Sequence, residues 1–231
     1  MPDSISPFDV GAIWSKAKSK FVTADNTGEP GELILFALLE SERKAPQILN
    51  KMSLKTSGSV HFHGLDGIHL GIKNNEIILY YGESKMKKSI NTAIKDAIDA
   101  LNNFHTTPKK EEFELDLISN HIDEKRFGER VTEIKEIINP YSEYKKEKLK
   151  KVYSVFIGFD WSSLKNINFR TIKKDIENIL ESCLNENKQK IHEKCKATIM
   201  KSKIDNSVEF FFLPFKDVQE IRTYFSKEVI S

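Results

Sequence analysis

Three charged residues, Asp66, Glu83 and Lys85, have types and spacings that could support metal-dependent chemistry on a phosphodiester. Asp66 precedes the apolar run GIHLGI, and Glu83 and Lys85 end the run EIILYYGESK. The runs are joined by KNNE, whose asparagines tolerate the positive φ angles that a tight hairpin requires. A two-residue turn there predicts that Asp66 faces Glu83 directly, with Cβ atoms about 4.5–5.5 Å apart.

Two carboxylates opposed in this way repel each other, so the arrangement favours a cation between them. Mg²⁺ and Mn²⁺ prefer such oxygen ligands. Lys85 lies on the same strand face as Glu83, where an ammonium group could orient an attacking water or stabilise a phosphate in the transition state. A lysine at the edge of a sheet is expected to add little to folding stability.

A simpler interpretation of these residues stays open. Asp66 could be a turn residue after Gly64, and Glu83-Ser84-Lys85 could be the polar end of a strand. A one-residue slip or a β-bulge would also break the direct opposition of Asp66 and Glu83. Ser84 points away from Glu83 and Lys85, so a structural role is expected for it.

Several predicted elements must position this group. Residues 58–64, 66–72 and 76–85 are typical of strands, and residues 87–104 form the clearest amphipathic helix. The run LILFALL, in a helix over 31–41, is apolar on all sides, which predicts burial. Further helices are predicted over 8–22, 120–138, 168–200 and 216–229, and further strands over 151–161 and 207–215. This order indicates an α/β or α+β fold in one domain, residues 1–231.

Four segments together resemble a known family. GELILFALLE, APQILNKMSLKT, HFHGLDGIHLG and LYYGESK resemble the HamA effectors of Hachiman anti-phage defence, within the PD-(D/E)xK nuclease superfamily. The resemblance covers about residues 28–105, with 106–231 as the C-terminal completion of the fold. It implies a mixed sheet flanked by helices and a bacterial DNA-cutting effector that works beside a helicase-like protein of the HamB type.

The same resemblance implies roles for particular residues. Asp66 and Glu83 would hold Mg²⁺ or Mn²⁺, and Lys85 would act in catalysis. An acidic residue on the first core helix often completes such sites. Glu32 is the first choice because it begins that helix, and Glu40 is the second. A simple charge at the start of a helix is the other interpretation of Glu32.

Other residues could contact nucleic acid. Residues 141–203 carry an excess of seven positive charges, although the whole chain has a net charge of only +2. Such runs are also typical of solvated helix faces. His61, His63 and His69 lie close in sequence but lack a full zinc-ligand set, so polar contacts near the site are favoured. The residues expected to bind DNA or phosphate are Ser53, Lys55, Thr56, Lys87, Lys88, Lys145, Lys146 and Lys148.

Several classes of protein are disfavoured by what the sequence lacks. No Walker-type or GxGxxG loop is present, so hydrolysis of ATP by this chain is not expected. Cys183 and Cys195 match no zinc pattern and are expected to be reduced thiols in a cytoplasmic protein. No signal peptide or membrane-spanning run is predicted. The alternative to an enzyme is a non-catalytic module that binds nucleic acid or assembles with a partner on a nuclease-like scaffold.

Overall fold

A computed structural model describes residues 28–50, 65–122, 124–166 and 173–230 of the chain. The predicted helix over 8–22 and the predicted strand GSVHFHG lie outside these residues. The described helices are α1 (Glu29–Glu42), α2 (Ile90–His105), α3 (Pro108–His121), α4 (Glu124–Phe127), α5 (Val131–Ile138), α6 (Lys173–Ile199) and α7 (Val218–Phe225). The described strands are β1 (Gln47–Asn50), β2 (Gly67–Lys73), β3 (Glu76–Lys87), β4 (Leu149–Asp160) and β5 (Ser207–Phe215).

The described strands form one mixed sheet in the order β1-β2-β3-β4-β5. The first three strands are antiparallel, whereas β3, β4 and β5 run parallel. Parallel neighbours need long crossovers, and the helical segments between β3 and β4 and between β4 and β5 provide them. The structure therefore confirms the predicted mixed α/β class, with helices flanking the sheet.

The hairpin between β2 and β3 has the predicted register. Lys73 pairs with Glu76, and the ladder continues in step to Gly67 and Gly82. Asn74 and Asn75 have φ angles of 50° and 63°, which is the left-handed conformation that a two-residue hairpin turn requires. The local turn chemistry therefore sets the pairing of two strands.

Alternation along β3 divides the core into two layers. Ile77, Leu79 and Tyr81 face α2, whose buried residues follow the predicted helical period. Tyr80 and Met86 pack in a smaller cluster with α1. Each fully buried aliphatic side chain contributes about 1.5–3 kcal/mol to folding, so both layers help to hold β3 in place.

Two predicted helices differ from the structure. The helix over 31–41 was expected to be buried on all sides, but Leu33 is 46% exposed while Leu39 is fully buried. This helix covers one face of the sheet and leaves its outer side open. The segment predicted to be helical over 120–138 is helical over 124–138 but interrupted, because Gly128 adopts a φ of 55°, a conformation that glycine accepts without steric cost.

Two buried tyrosines allow a comparison of how a buried hydroxyl affects stability with and without a hydrogen-bond partner. Tyr153 Oη lies 3.1 Å from His105 Nδ1, whereas Tyr81 Oη has no hydrogen-bond partner among the residues that the structure describes. A buried hydroxyl without a partner costs about 1–3 kcal/mol, and a satisfied one stabilises by about 0.5–1.5 kcal/mol. We expect Tyr81→Phe to raise the free energy of unfolding by about 1 kcal/mol and Tyr153→Phe to lower it by a similar amount.

Urea unfolding of both variants, measured beside the parent, checks these opposite signs. A loss of stability in Tyr81→Phe would contradict the first expectation, since the substitution removes only the hydroxyl from the packed core. Equal effects of the two variants would show that the hydrogen bonds of the Tyr153 hydroxyl, to His105 and Asn206, add nothing to stability.

Candidate active site

The candidate site lies near the carboxyl end of β3. Glu83 and Lys85 occupy alternate positions of this strand and share a face, as the period of two requires. Asp66 immediately precedes β2 on the neighbouring strand. The start of α1 crosses the other face, where a Cβ on Gly31 would lie 3.2 Å from Ser84 Oγ. Three segments therefore meet at one corner of the sheet.

Lys85 forms an ion pair with Glu83 in a largely buried setting. The ammonium nitrogen contacts Glu83 Oε1, and the two side chains are 26% and 5% exposed. Burial by itself lowers the pKa of Lys85, but the carboxylates of Glu83, Asp66 and Asp96 outweigh it, so that pKa is raised. The Lys85 ammonium is thus paired with a buried carboxylate and stays charged at neutral pH.

The carboxylate of Asp66 is held by Ser84. Asp66 Oδ2 accepts hydrogen bonds from the Ser84 amide at 2.8 Å and from the Ser84 hydroxyl at 2.9 Å. Ser84 therefore has a structural role, because its two hydrogen bonds orient Asp66, a candidate metal ligand.

The predicted direct opposition of Asp66 and Glu83 is absent from the β-ladder. Pairing ends at Gly67 and Gly82, and the Asp66 amide donates to the Gly82 carbonyl at 2.9 Å. Asp66 and Gly67 thus both face Gly82, which is the geometry of a β-bulge. A bulge bends the strand and changes the direction of the side chain at the extra residue. The Asp66 carboxylate therefore reaches Ser84, which is the residue next to Glu83 on β3.

A cavity of about 210 Å³ opens between α1 and the β1–β2–β3 end of the sheet. Asp66 and Glu32 both line it, whereas Glu40 lies eight residues further along α1, about 12 Å away along the helix axis. Glu40 Oε1 accepts a hydrogen bond from the Gln47 amide at 3.3 Å. The structure therefore places Glu32 near Asp66 and gives Glu40 a contact with β1.

Glu29 is a site residue that sequence reasoning did not select. It is only 3% exposed and lines the same cavity as Asp66 and Glu32. Its sequence signal was its position three residues before Glu32, which places both on one face of a helix. In the sequence, both residues also fit the role of charges that favour the start of the helix, and that pattern does not show burial.

His69 borders the cavity as a neutral group. Its Nδ1 lies 2.8 Å from the Ala45 carbonyl, and the ring is 2% exposed. Burial lowers the pKa of His69, and this outweighs the opposing effects of the Ala45 carbonyl and Glu40. A neutral ring that donates through Nδ1 leaves Nε2 as an acceptor, so His69 fits the predicted polar contact near the site. His61 and His63 lie outside the described residues.

The model of the HamA family matches residues 10–229, which is nearly the whole chain. The chain belongs to the HamA family. This HamA-family membership confirms the resemblance seen in the four sequence segments and makes the protein a component of Hachiman defence. No curated protein matches the chain. Among the described residues, no helix of this HamA-family chain is long and apolar enough to cross a membrane.

The carboxylates of this HamA-family chain fit a divalent cation in part. Asp66 and Glu83 supply the oxygen donors that Mg²⁺ prefers, and Mg²⁺ is usually held by one or two carboxylates with waters and substrate phosphates completing the shell. Within the described ranges, no group of three or more His, Cys, Asp or Glu side chains is arranged to hold a metal. The structure therefore does not assemble Asp66, Glu83 and Glu32 into one ligand group.

The lysines at 145–151 lie far from this site in the HamA-family chain. Lys151 is paired in register with Leu79, six residues before Lys85 on β3, which is about 20 Å at 3.3 Å per residue. Lys145 and Lys148 contact Glu133 at 2.9 Å and 3.7 Å, and Lys146 donates to the Ile137 carbonyl at 2.8 Å. These contacts give the three lysines, predicted to bind DNA, partners within the protein.

The remaining predicted phosphate contacts have mixed positions. Lys87 and Lys88 lie at the end of β3, close to Lys85, and Lys87 forms an ion pair with Asp96 at 3.0 Å. Ser53, Lys55 and Thr56 fall outside the described residues. The end of β3, rather than the segment 145–151, therefore brings basic side chains to the candidate site.

Proposed function

We propose that this HamA-family chain is a Mg²⁺- or Mn²⁺-dependent deoxyribonuclease that hydrolyses phosphodiester bonds in a Hachiman system. The observation that carries the proposal is the position of Lys85, whose ammonium group forms an ion pair with the buried carboxylate of Glu83, next to the strand that Asp66 precedes. A partly buried lysine that pairs with a buried carboxylate, with a second carboxylate at the start of the neighbouring strand, supplies the positive group and the oxygen ligands that this reaction needs.

Asp66 and Glu83 would hold the cation. A bound divalent cation supplies Lewis-acid stabilisation of the phosphodiester and an activated water for attack. Ser84 keeps the Asp66 carboxylate in one orientation through two hydrogen bonds. The buried position of Glu83 strengthens its interactions with any nearby charge, because the local dielectric is low.

Lys85 has two tasks in this proposal. It neutralises the buried Glu83 carboxylate in the ligand-free protein. When substrate and cation are bound, its ammonium group donates a hydrogen bond to the phosphate or to the attacking water, where negative charge develops in the transition state. The raised pKa of Lys85 keeps this donor protonated throughout the physiological pH range.

We further propose that a helicase-like partner of the HamB type controls access of DNA to the site. The second candidate function is a non-catalytic module that binds nucleic acid or a partner on the same scaffold. It is favoured by one observation, the lack of a three-ligand metal group within the described part of the chain.

Cleavage of supercoiled plasmid by the purified chain, alone and together with its helicase-like partner, tests the proposal. Cleavage should require Mg²⁺ or Mn²⁺ and stop in EDTA. Protein carrying Glu83→Gln and Lys85→Met, prepared in parallel, controls for contaminating nucleases. Tight DNA binding without cleavage, when the partner is present and both metals have been tried, would favour the binding module.

A further inference from the structure

Three lysines stand at the carboxyl ends of the three parallel strands. Lys88 follows β3, Lys165 lies five residues after the end of β4, and Lys216 follows β5. Because β3, β4 and β5 are adjacent and parallel, their carboxyl ends meet at the same edge of the sheet. In parallel sheets this edge is where ligands usually bind.

Hydrogen bonds hold these strand ends together. The Asp160 amide donates to the Lys88 carbonyl at 3.3 Å, and the Trp161 amide donates to the Phe215 carbonyl at 2.8 Å. The Val218 amide then donates to Asp160 Oδ1 at 2.7 Å. At a spacing of about 4.8 Å between strands, the three ends span roughly 10 Å. Lys88 and Lys216 thus directly follow strand ends that are hydrogen-bonded to β4 or the residue after it, and Lys165 lies in the short 3-10 helix Ser162–Asn166 after β4.

The charges of these lysines are available to a ligand. All three side chains are exposed, and none lies within ion-pair distance of another residue that the structure describes. Asp217 is the nearby acid, and its Oδ1 accepts hydrogen bonds from the Gln219 and Glu220 amides at 2.7 Å and 3.1 Å. This carboxylate is therefore committed to capping α7.

Lys88 and Lys165 lie close enough to Asp217 for both of their charges to act on its carboxylate. The pKa of Asp217 is lowered, first by the backbone amides of Glu220 and Gln219 and then by the charges of Lys88 and Lys165. The lysines of residues 145–151 differ, since Lys145, Lys148 and Lys150 each contact a glutamate. Exposed lysines without such partners can bind phosphates without first giving up an ion pair.

We propose that Lys88, Lys165 and Lys216 form a basic rim that binds the DNA backbone and leads it to the candidate site. The inference deepens the proposed function and rests on it. Lys88 is three residues from Lys85, so the rim is continuous with the candidate site. One DNA strand carries a phosphate about every 3.4 Å along the axis, so a rim of roughly 10 Å matches about three phosphates.

Salt-dependent binding of the full chain to a fluorescent 30-base-pair DNA duplex in EDTA, where no cleavage occurs, tests the rim. The variant is Lys88→Gln with Lys165→Gln and Lys216→Gln. Each lost phosphate contact lowers the slope of log affinity against log salt by about 0.9, so we expect the slope to fall by about 2–3 units. The matched control, Lys145→Gln with Lys148→Gln and Lys150→Gln, removes the same charge and should keep the slope within about half a unit of the parent.

Each outcome decides the inference. Equal losses of slope in the two triple variants would show a general effect of charge and would overturn the proposed rim. An absence of DNA binding by the parent would overturn it as well. If the rim variant keeps the parent's salt dependence of DNA binding but no longer binds the helicase-like partner, the three lysines bind an acidic surface of that protein instead of DNA. Loss of slope in the rim variant alone supports the rim, even if plasmid cleavage fails and the nuclease proposal is rejected.

Discussion

Replacing Lys85 with Met should reduce the rate of plasmid cleavage by about 10²–10³, which is the usual cost of losing one preorganised donor in the transition state. Methionine has a similar length but carries no charge and donates no hydrogen bond. The substitution leaves Asp66 and Ser84 in contact, since neither bond involves Lys85. Single-turnover cleavage by the chain with its partner measures the chemical step directly.

The same variant should also be less stable, which differs from the expectation drawn from the sequence. Lys85 neutralises Glu83, whose side chain is only 5% exposed. Breaking a fully buried ion pair costs about 3–5 kcal/mol. Because the Lys85 side chain is 26% exposed, solvent screens part of this effect, and we expect a loss of about 1–3 kcal/mol in EDTA.

The pH range of this measurement follows from the direction of the pKa shift. The pKa of Lys85 is raised in the folded protein, since its carboxylate neighbours outweigh the effect of burial. A basic group whose pKa is raised in the folded protein stabilises that protein fully at any pH below the pKa of the unfolded state, which is about 10.4 for lysine. This stabilisation is lost as the pH rises through the pKa of the folded state. Melting at pH 7–8 therefore reports the whole effect.

Lys95→Met is the matched control for Lys85→Met. Lys95 also pairs with a carboxylate, Asp99, at 3.0 Å, but both side chains are more than 60% exposed. Its loss should leave cleavage and melting unchanged, because an exposed pair on one helix contributes little. If Lys85→Met cleaved at the parent rate, Lys85 would not be catalytic and the nuclease proposal would lose its central residue.

Asp66→Asn and Glu83→Gln should each weaken Mn²⁺ binding by at least about 100-fold. Loss of a residue that only supports a metal ligand costs about 10–100-fold, so loss of a ligand costs at least as much. Both substitutions keep an acceptor oxygen, so the bonds from Ser84 and from Lys85 can persist and the fold should be retained. Calorimetric titration with Mn²⁺ measures the affinities.

Two further variants sharpen this measurement. Glu32→Gln should weaken Mn²⁺ binding if the side chain turns toward Asp66 when the cation binds, since both residues line one cavity. Asp99→Asn, on the exposed face of α2, should leave the affinity unchanged. Unchanged affinity in both Asp66→Asn and Glu83→Gln would remove the assignment of the metal site.

Local pattern was enough to predict the parts of the site that lie on one element or one hairpin. The period of two places Glu83 and Lys85 on one face of β3, and the conformational freedom of Asn74 and Asn75 sets the register of the β2–β3 hairpin. The helical period identified the buried face of α2. These features depend on residues close in sequence, whose geometry is set by backbone sterics.

Tertiary structure decided the features that depend on distant parts of the chain. The bulge that turns Asp66 toward Ser84 is a departure from regular pairing, and periodicity cannot show it. Burial of Glu29 results from the packing of α1 over the sheet. The lysines of 145–151 were set about 20 Å from Lys85 by the register of β3 and β4. That parallel pairing joins strands separated by more than 60 residues, so only the folded chain could place Lys88, Lys165 and Lys216 along one edge.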